Sequence, residues 1–158
     1  MCALRLSTDL KNYIINQGIV KQMAGTMGTG GTASITIYTG TQPTNADTAP
    51  TGTSGTVLCT MINMGWGGTT GDQSTVGSTA GTTGFAAAAG GYFGTAVYTG
   101  TAGWARLVTV GTGFTGSAAT FRIDGNVGTA ATCEFVINSV SITNLGAVTL
   151  LSTPISLP

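Results

Sequence analysis

The chain reads as an all-β protein: an antiparallel β-sandwich, jelly-roll-like in outline, preceded by a short N-terminal helical arm. Three observations carry this expectation. Short runs rich in β-branched and aromatic residues recur from residue 34 onward, most of them ended by a glycine-containing turn. No segment with helical periodicity lies between those runs, which argues for strands that pair as neighbours in a sandwich. Finally, 26 glycines in 158 residues leave little room for long helices.

The arm is the one helical candidate. Arg5, Asp9, Lys11 and Lys21 concentrate charge there. Ser7 or Thr8 can cap a helix, Asp9 suits its positive end, and Leu10, Tyr13 and Ile14 share a face before Gly18 stops it. Such an arm either closes one end of the core or docks onto a neighbouring subunit.

Residues 34–38 (SITIY) alternate with the period of a strand, and 39–55 form a loop too long for a hairpin, with Pro43 and Pro50. A second strand is expected over 56–64. The segment 65–91 is rich in Gly, Thr and Ser around the FAAAA run at 85–89, and reads as a solvent-facing loop or a piece ordered only against a partner. Further strands are expected at 95–98, 104–110, 119–123, 133–137, 140–142 and 148–155. Turns fall at 101–103, 111–113, 124–126 and 144–146, with Asp124-Gly125 the strongest hairpin signal. The organisation is thus an arm at 1–23 and one domain at 24–158. The expected core is Ile35, Ile37, Val57, Cys59, Trp104, Leu107, Phe121, Ile123, Phe135, Ile137, Val148 and Leu150.

Composition removes most chemistry. With no histidine, and five Lys+Arg against five Asp+Glu, the chain lacks imidazole for proton transfer and clustered acids for hydrolysis. A balanced charge gives no footprint for nucleic acid or an anionic membrane surface, so neither is expected as a partner. Cys2, Cys59 and Cys133 form no CxxC pair, so neither a metal site nor a disulfide framework is signalled. No sequon, signal-peptide pattern or membrane-length apolar run occurs, which reads as a protein kept in a reducing cytoplasm. A charged fraction of 6% suits a subunit that buries its exterior in an assembly. Threonine and serine hydroxyls could equally hydrate a free surface.

Four motifs invite a sharper reading. Gly111-x-Gly113-x-x-Gly116 follows a strand but precedes another strand, so it lacks the helix N-terminus that a dinucleotide needs. Asp124 and Glu134 could be imagined as a glycosidase pair, yet a turn explains the first and strand alternation the second. Arg106 and Arg122 sit in expected strands, where they either face solvent or pair with Asp124 or Glu134. Thr-Gly-Thr at 39, 51 and 99 suggests an ice-binding solenoid, but the spacing is not constant.

Beyond these, ordered blocks carry a resemblance. They are LRLSTDLKN at 4–12, ITIYTGTQPTNADTAPTGT at 35–53, GTAGWARL at 100–107, DGNVGT at 124–129 and the strands from 135 to 158. In content and order they resemble a family of small virion structural proteins of tailed bacteriophages, and they reach both ends of the chain. The segment 65–91 is longer and blander than that pattern, and Ala105 stands where a Phe often follows the Trp. The resemblance implies a particle component with no catalytic residue, no cofactor and no metal. Its implied partners are the major capsid protein or other virion subunits, with self-association into a homo-oligomer. Its implied location is the virion, after assembly in the host bacterial cytoplasm. A capsid decoration (cement) subunit is the preferred role, with a tail, baseplate or head-to-tail component as the alternative. Contact candidates are Leu4, Leu6, Leu10, Tyr13 and Ile14 on the arm, and Phe85, Tyr92 and Phe93 after the glycine-rich stretch.

Overall fold

The computed structural model describes residues 34–47, 50, 55–61, 82–86, 92–110 and 120–156, with the backbone alone at 82–86, 92, 109–110, 120–121 and 154–156. Every regular element among them is a strand. In chain order these are β1 (Ser34–Tyr38), β2 (Val57–Met61), β3 (Thr82–Ala86), β4 (Tyr92–Thr95) and β5 (Gly100–Thr101). They continue with β6 (Trp104–Val110), β7 (Thr120–Gly128), β8 (Phe135–Ile137), β9 (Ser141–Ile142) and β10 (Ala147–Ser156). The expected arm at 1–23 and most of 65–91 lie outside the described residues.

The strands form a sheet that curls into a nearly closed barrel. Its order runs β2-β1-β6-β7-β8-β10, with β3 and β4 both on the far side of β10. The circuit closes where an isolated bridge joins Cys59 of β2 to Ala96 just after β4, and where Val97 N–H donates to Leu58 C=O at 2.8 Å. Closure of this kind removes most of the sheet's exposed edges. Backbones come close at the seam, since a Cβ on Gly94 would lie 2.6 Å from Cys59 Sγ. A two-strand ladder of β5 and β9 stands beside the barrel.

Alternation on the strands decides what is inside. On β1, Ile35 and Ile37 are fully buried while Ser34, Thr36 and Tyr38 face the other way. They meet Cys59, Met61, Leu107, Phe135, Ile137, Val148 and Leu150 in one apolar cluster, against which Ile123 packs partly buried. Burying each such side chain is worth about 1.5–3 kcal/mol in transfer free energy. Small residues complete the cluster at Ala96, Ala102 and Ala105, where strands approach closely.

Several expectations need correction. Val57, expected in the core, is 36% exposed, because β1 and β2 slip register between Ile37 and Tyr38. Ile37 faces Cys59 while Tyr38 faces Val57, so Leu58 is an extra residue in a bulge and turns inward instead. Trp104 is buried as expected, but on the face of β6 opposite Ala105 and Leu107. The side chain of Phe121 lies outside the described residues. Pairing is antiparallel except between β7 and β8, which run parallel with Val127 beside Phe135.

The Asp124-Gly125 hairpin is not formed. Both residues lie inside β7, which continues without a turn to Gly128. Gly125 serves close approach instead, since a Cβ there would meet Glu134 Cβ at 2.6 Å and the Phe135 ring at 3.0 Å. The solenoid reading also fails among the described residues, because stacked coils would pair in parallel and these strands pair mostly antiparallel.

Within 65–91 the sequence expectation missed a strand. β3 pairs with Ser152–Ser156 of β10, and β4 pairs with Ala147–Leu150. The two therefore lie end to end along one side of β10. Leu151 is skipped in the register between β10 and β8, and its side chain is 51% exposed.

Candidate functional site

The face of β1, β6 and β7 turned away from the apolar cluster carries the most concentrated polar arrangement described. Alternation puts Trp104 and Arg106 on that face of β6, and register sets Tyr38 opposite Trp104 and Asp124 opposite Arg106. The Arg106 guanidinium donates from Nε to Asp124 Oδ1 at 2.7 Å and from Nη2 to Oδ2 at 2.6 Å. This is a two-pronged ion pair with side chains only 6% and 3% exposed. The Tyr38 and Trp104 rings stack at 4.4 Å between centroids, 12° from parallel, and the guanidinium carbon lies 5.5 Å from the Trp104 centroid. A cation over an indole at that distance is attracted by the ring quadrupole.

The environment tunes these groups toward permanence rather than reactivity. The hydrogen bond to Asp124 holds the Arg106 pKa above its ordinary value, outweighing the opposing effect of burial. Burial pushes the Tyr38 phenol up, only partly offset by its hydrogen bond with Thr36 and the nearby Arg106 charge. The buried Cys59 thiol is likewise pushed up by desolvation, which keeps it a thiol rather than a nucleophilic thiolate. A guanidinium fixed by a carboxylate, beside stacked aromatics, can lock three strands in register.

The loop at 39–47 frames this patch. It leaves β1 with Gly103 N–H donating to Tyr38 C=O at 2.9 Å, turns at Gly40, and carries Asp47, which pairs with Arg122 of β7 at 3.4 Å. Tyr38 and Asp47 thus tie this stretch to the first and third strands of the patch.

The two arginines weighed from sequence therefore part company: Arg106 takes the buried pair, and Arg122 sits in an exposed one. Asp124 and Glu134 have separate partners, Asp124 holding Arg106 while Glu134 Oε2 accepts from Asn126 N–H at 2.9 Å. Among the described residues no three of His, Cys, Asp and Glu come together as a metal site, and no helix is long and apolar enough to cross a membrane. A depression of about 160 Å³ lies between Asn138 and Val148. Its Asn138 amide is already used, accepting from Thr149 N–H at 2.9 Å and donating to Ala147 C=O at 3.5 Å. No aromatic lines it, so it offers no platform on which a sugar ring could stack.

Of the contact candidates, Leu4, Leu6, Leu10, Tyr13 and Ile14 lie outside the described residues. Phe85 falls in β3 and Tyr92 in β4, both described by backbone alone, and Phe93 is 74% exposed on β4. Sequence reasoning missed Val97, Tyr98, Leu145 and Leu151, all exposed apolar residues. The usable signal was Leu145, an apolar side chain inside the turn sequence Asn-Leu-Gly. Comparison with protein families, with curated proteins and with solved structures gives no match.

Proposed function

We propose that this chain is a non-enzymatic structural protein of a tailed-bacteriophage virion, with capsid decoration (cement) as its role. The observation that carries the reading is convergence. Three separate blocks of the resemblance supply the buried cluster: Tyr38 from ITIYTGTQP, Trp104 and Arg106 from GTAGWARL, and Asp124 from DGNVGT. Residues that such a pattern shares for catalysis would gather around a cleft with reactive groups. These gather in a saturated ion pair under stacked rings, as expected where the shared property is a frame.

In this reading the domain is a sandwich-like subunit with jelly-roll-like connections and a helical arm over 1–23. It self-associates, and binds the major capsid protein or other virion subunits, neither nucleic acid nor membrane. It reaches the virion from the host bacterial cytoplasm, needing no cofactor. The exposed Phe93, with the arm residues Leu4, Leu6, Leu10, Tyr13 and Ile14 and the β-strand residues Phe85 and Tyr92, supplies the assembly contacts.

The test is mass spectrometry of density-purified particles, with the ratio of this chain to the major capsid subunit. Hundreds of copies, released by mild denaturant without loss of the tail, support decoration. A few dozen or fewer that stay with isolated tails assign it to the tail, baseplate or head-to-tail region. Absence from particles overturns the proposal.

A further inference from the structure

We infer that the rim where β2, the turn after β4 and the turn before β10 meet is a self-association surface, occupied by the same rim of a second copy of this chain. The inference rests on the homo-oligomeric part of the proposed function and names its surface.

Backbone hydrogen bonds build the rim. Ala96 N–H donates to Gly146 C=O and Leu145 N–H to Ala96 C=O, both at 2.9 Å, while Val97 N–H donates to Leu58 C=O. Asn144 N–H also donates to Thr99 Oγ1 at 2.9 Å. This lattice fixes two turns and a strand end against one another, so their apolar side chains are presented by rigid backbone. Val97 is 54% exposed, Tyr98 60% and Leu145 80%, with Val57 beside the bulge at 36%.

Leu145 adds a second, independent observation. Its φ is 66°, the left-handed region where a Cβ is strained. Its neighbours Asn144 and Gly146 are the residue types that tolerate that conformation, yet a leucine holds it and points into solvent. Strain and exposure borne by one residue mark a place where something outside the fold uses the side chain.

Charge decides what that something is. Residues 55–61, 92–103 and 135–156 contain no Asp, Glu, Lys or Arg. The described ionic groups are Asp47, Arg106, Arg122, Asp124 and Glu134, none of them on the rim. A charged partner surface would lose hydration here and gain no counter-charge. The rim of a second copy brings no charge, and a two-fold axis matches the patch to itself, which is the commonest symmetry of soluble assemblies. A lipid surface fits less well, because apolar tips that enter bilayers are flanked by basic residues and no described basic residue flanks this one.

Sedimentation velocity of the full chain over a range of concentrations tests the inference. The wild type should associate reversibly, while the Tyr98→Ser/Leu145→Asn double variant stays monomeric. Its thermal midpoint should be unchanged or raised, since asparagine accepts the left-handed backbone. Should the double variant not fold, Val97→Glu puts one like charge on each copy and should weaken association by about tenfold or more, less so in high salt. Leu151→Ser, on the β10 face, should leave association intact. A wild type monomeric throughout, or association that survives the rim variants, overturns the inference. So does a monomeric wild type that sediments with phosphatidylcholine vesicles through the rim. A monomer that co-purifies with particles refutes self-association alone, and an associating chain absent from particles refutes the virion role alone.

Discussion

The two sides of this barrel solve the same problem with opposite means. On the β1–β6–β7 side, strands are tied by a buried ion pair, a ring stack and a second ion pair from the 39–47 loop. On the β4–β10 side, with the β5–β9 ladder, there is no charge among the described residues, and backbone bonds, Asn138 and the Thr99 hydroxyl do the tying. The difference shows how the described charges of a chain with 6% charged residues are distributed. Charge is used where a specific register must be fixed. It is withheld where apolar turns face outward, which is the arrangement an assembly surface requires.

The largest effect should come from unpairing the buried ions. Asp124→Asn removes the carboxylate charge that the Arg106 guanidinium grips at a site 5% exposed, and should cost about 3–5 kcal/mol in urea or guanidinium unfolding. Replacing both partners, Arg106→Met with Asp124→Leu, should recover most of that loss, since the pair repays its own desolvation poorly. A single variant costing less than about 1 kcal/mol would show that water reaches this face.

Next in size is the seam that joins the two sides. Gly94→Ala drives a methyl into Cys59 Sγ and should cost about 1–3 kcal/mol. Gly94→Ala in a Cys59→Ala background should cost less than in the wild type, and additive losses would separate the two residues. The same cysteine gives a pH signature. Its pKa is raised in the fold, so its contribution is complete below the ordinary thiol value of about 8.5 and lost as pH climbs through the raised one. Tyr38, also raised, extends the loss above about pH 10. Unfolding free energy measured from pH 7 to 11 should fall in both steps, and Cys59→Ala should remove the first.

Much of the ionic side was legible in the sequence. β1 falls where strand alternation put it, because it packs one face on the core and so shows a clean period of two, and β6 falls where its β-branched and aromatic content put it, although residues 104–107 are buried on both faces. The seam and the neutral side were not. Leu58 and Val57 exchange roles through a bulge, which no periodicity announces. Asp124-Gly125 carries the local chemistry of a hairpin, yet Glu134 and Phe135 pack against that glycine and the strand runs on. β3, with the sequence TTGFA, owes its place to pairing with β10 rather than to any pattern of its own. The Arg106–Asp124 pair was one of two alternatives open from sequence. The apolar rim went unseen because Tyr98 was assigned to a strand and Leu145 to a turn, with nothing local to bring them together.

A smaller effect, of opposite sign, belongs to the neutral side. Thr153 on β10 is 1% exposed, and its hydroxyl oxygen has no hydrogen-bond partner. Thr153→Val keeps the branched shape and removes the unpaired polar atom, so it should stabilise by about 1 kcal/mol. A loss of stability on that change would mean that an ordered water serves the hydroxyl.

The smallest effect tests whether exposed charge contributes to the ionic side at all. Asp47 and Arg122 pair at 3.4 Å, but their side chains are 83% and 34% exposed, so solvent and salt screen most of their attraction. Asp47→Asn should therefore change unfolding free energy by less than about 0.5 kcal/mol, with the difference gone in high salt. The contrast with Asp124→Asn is the informative quantity, because both substitutions remove one carboxylate charge facing an arginine on neighbouring outer positions of the same sheet. A tenfold ratio between their costs would assign the register of β6 and β7 to the buried pair alone. Comparable costs would mean that the stretch 39–47 is itself part of what holds this face together, with Asp47 as its anchor on β7.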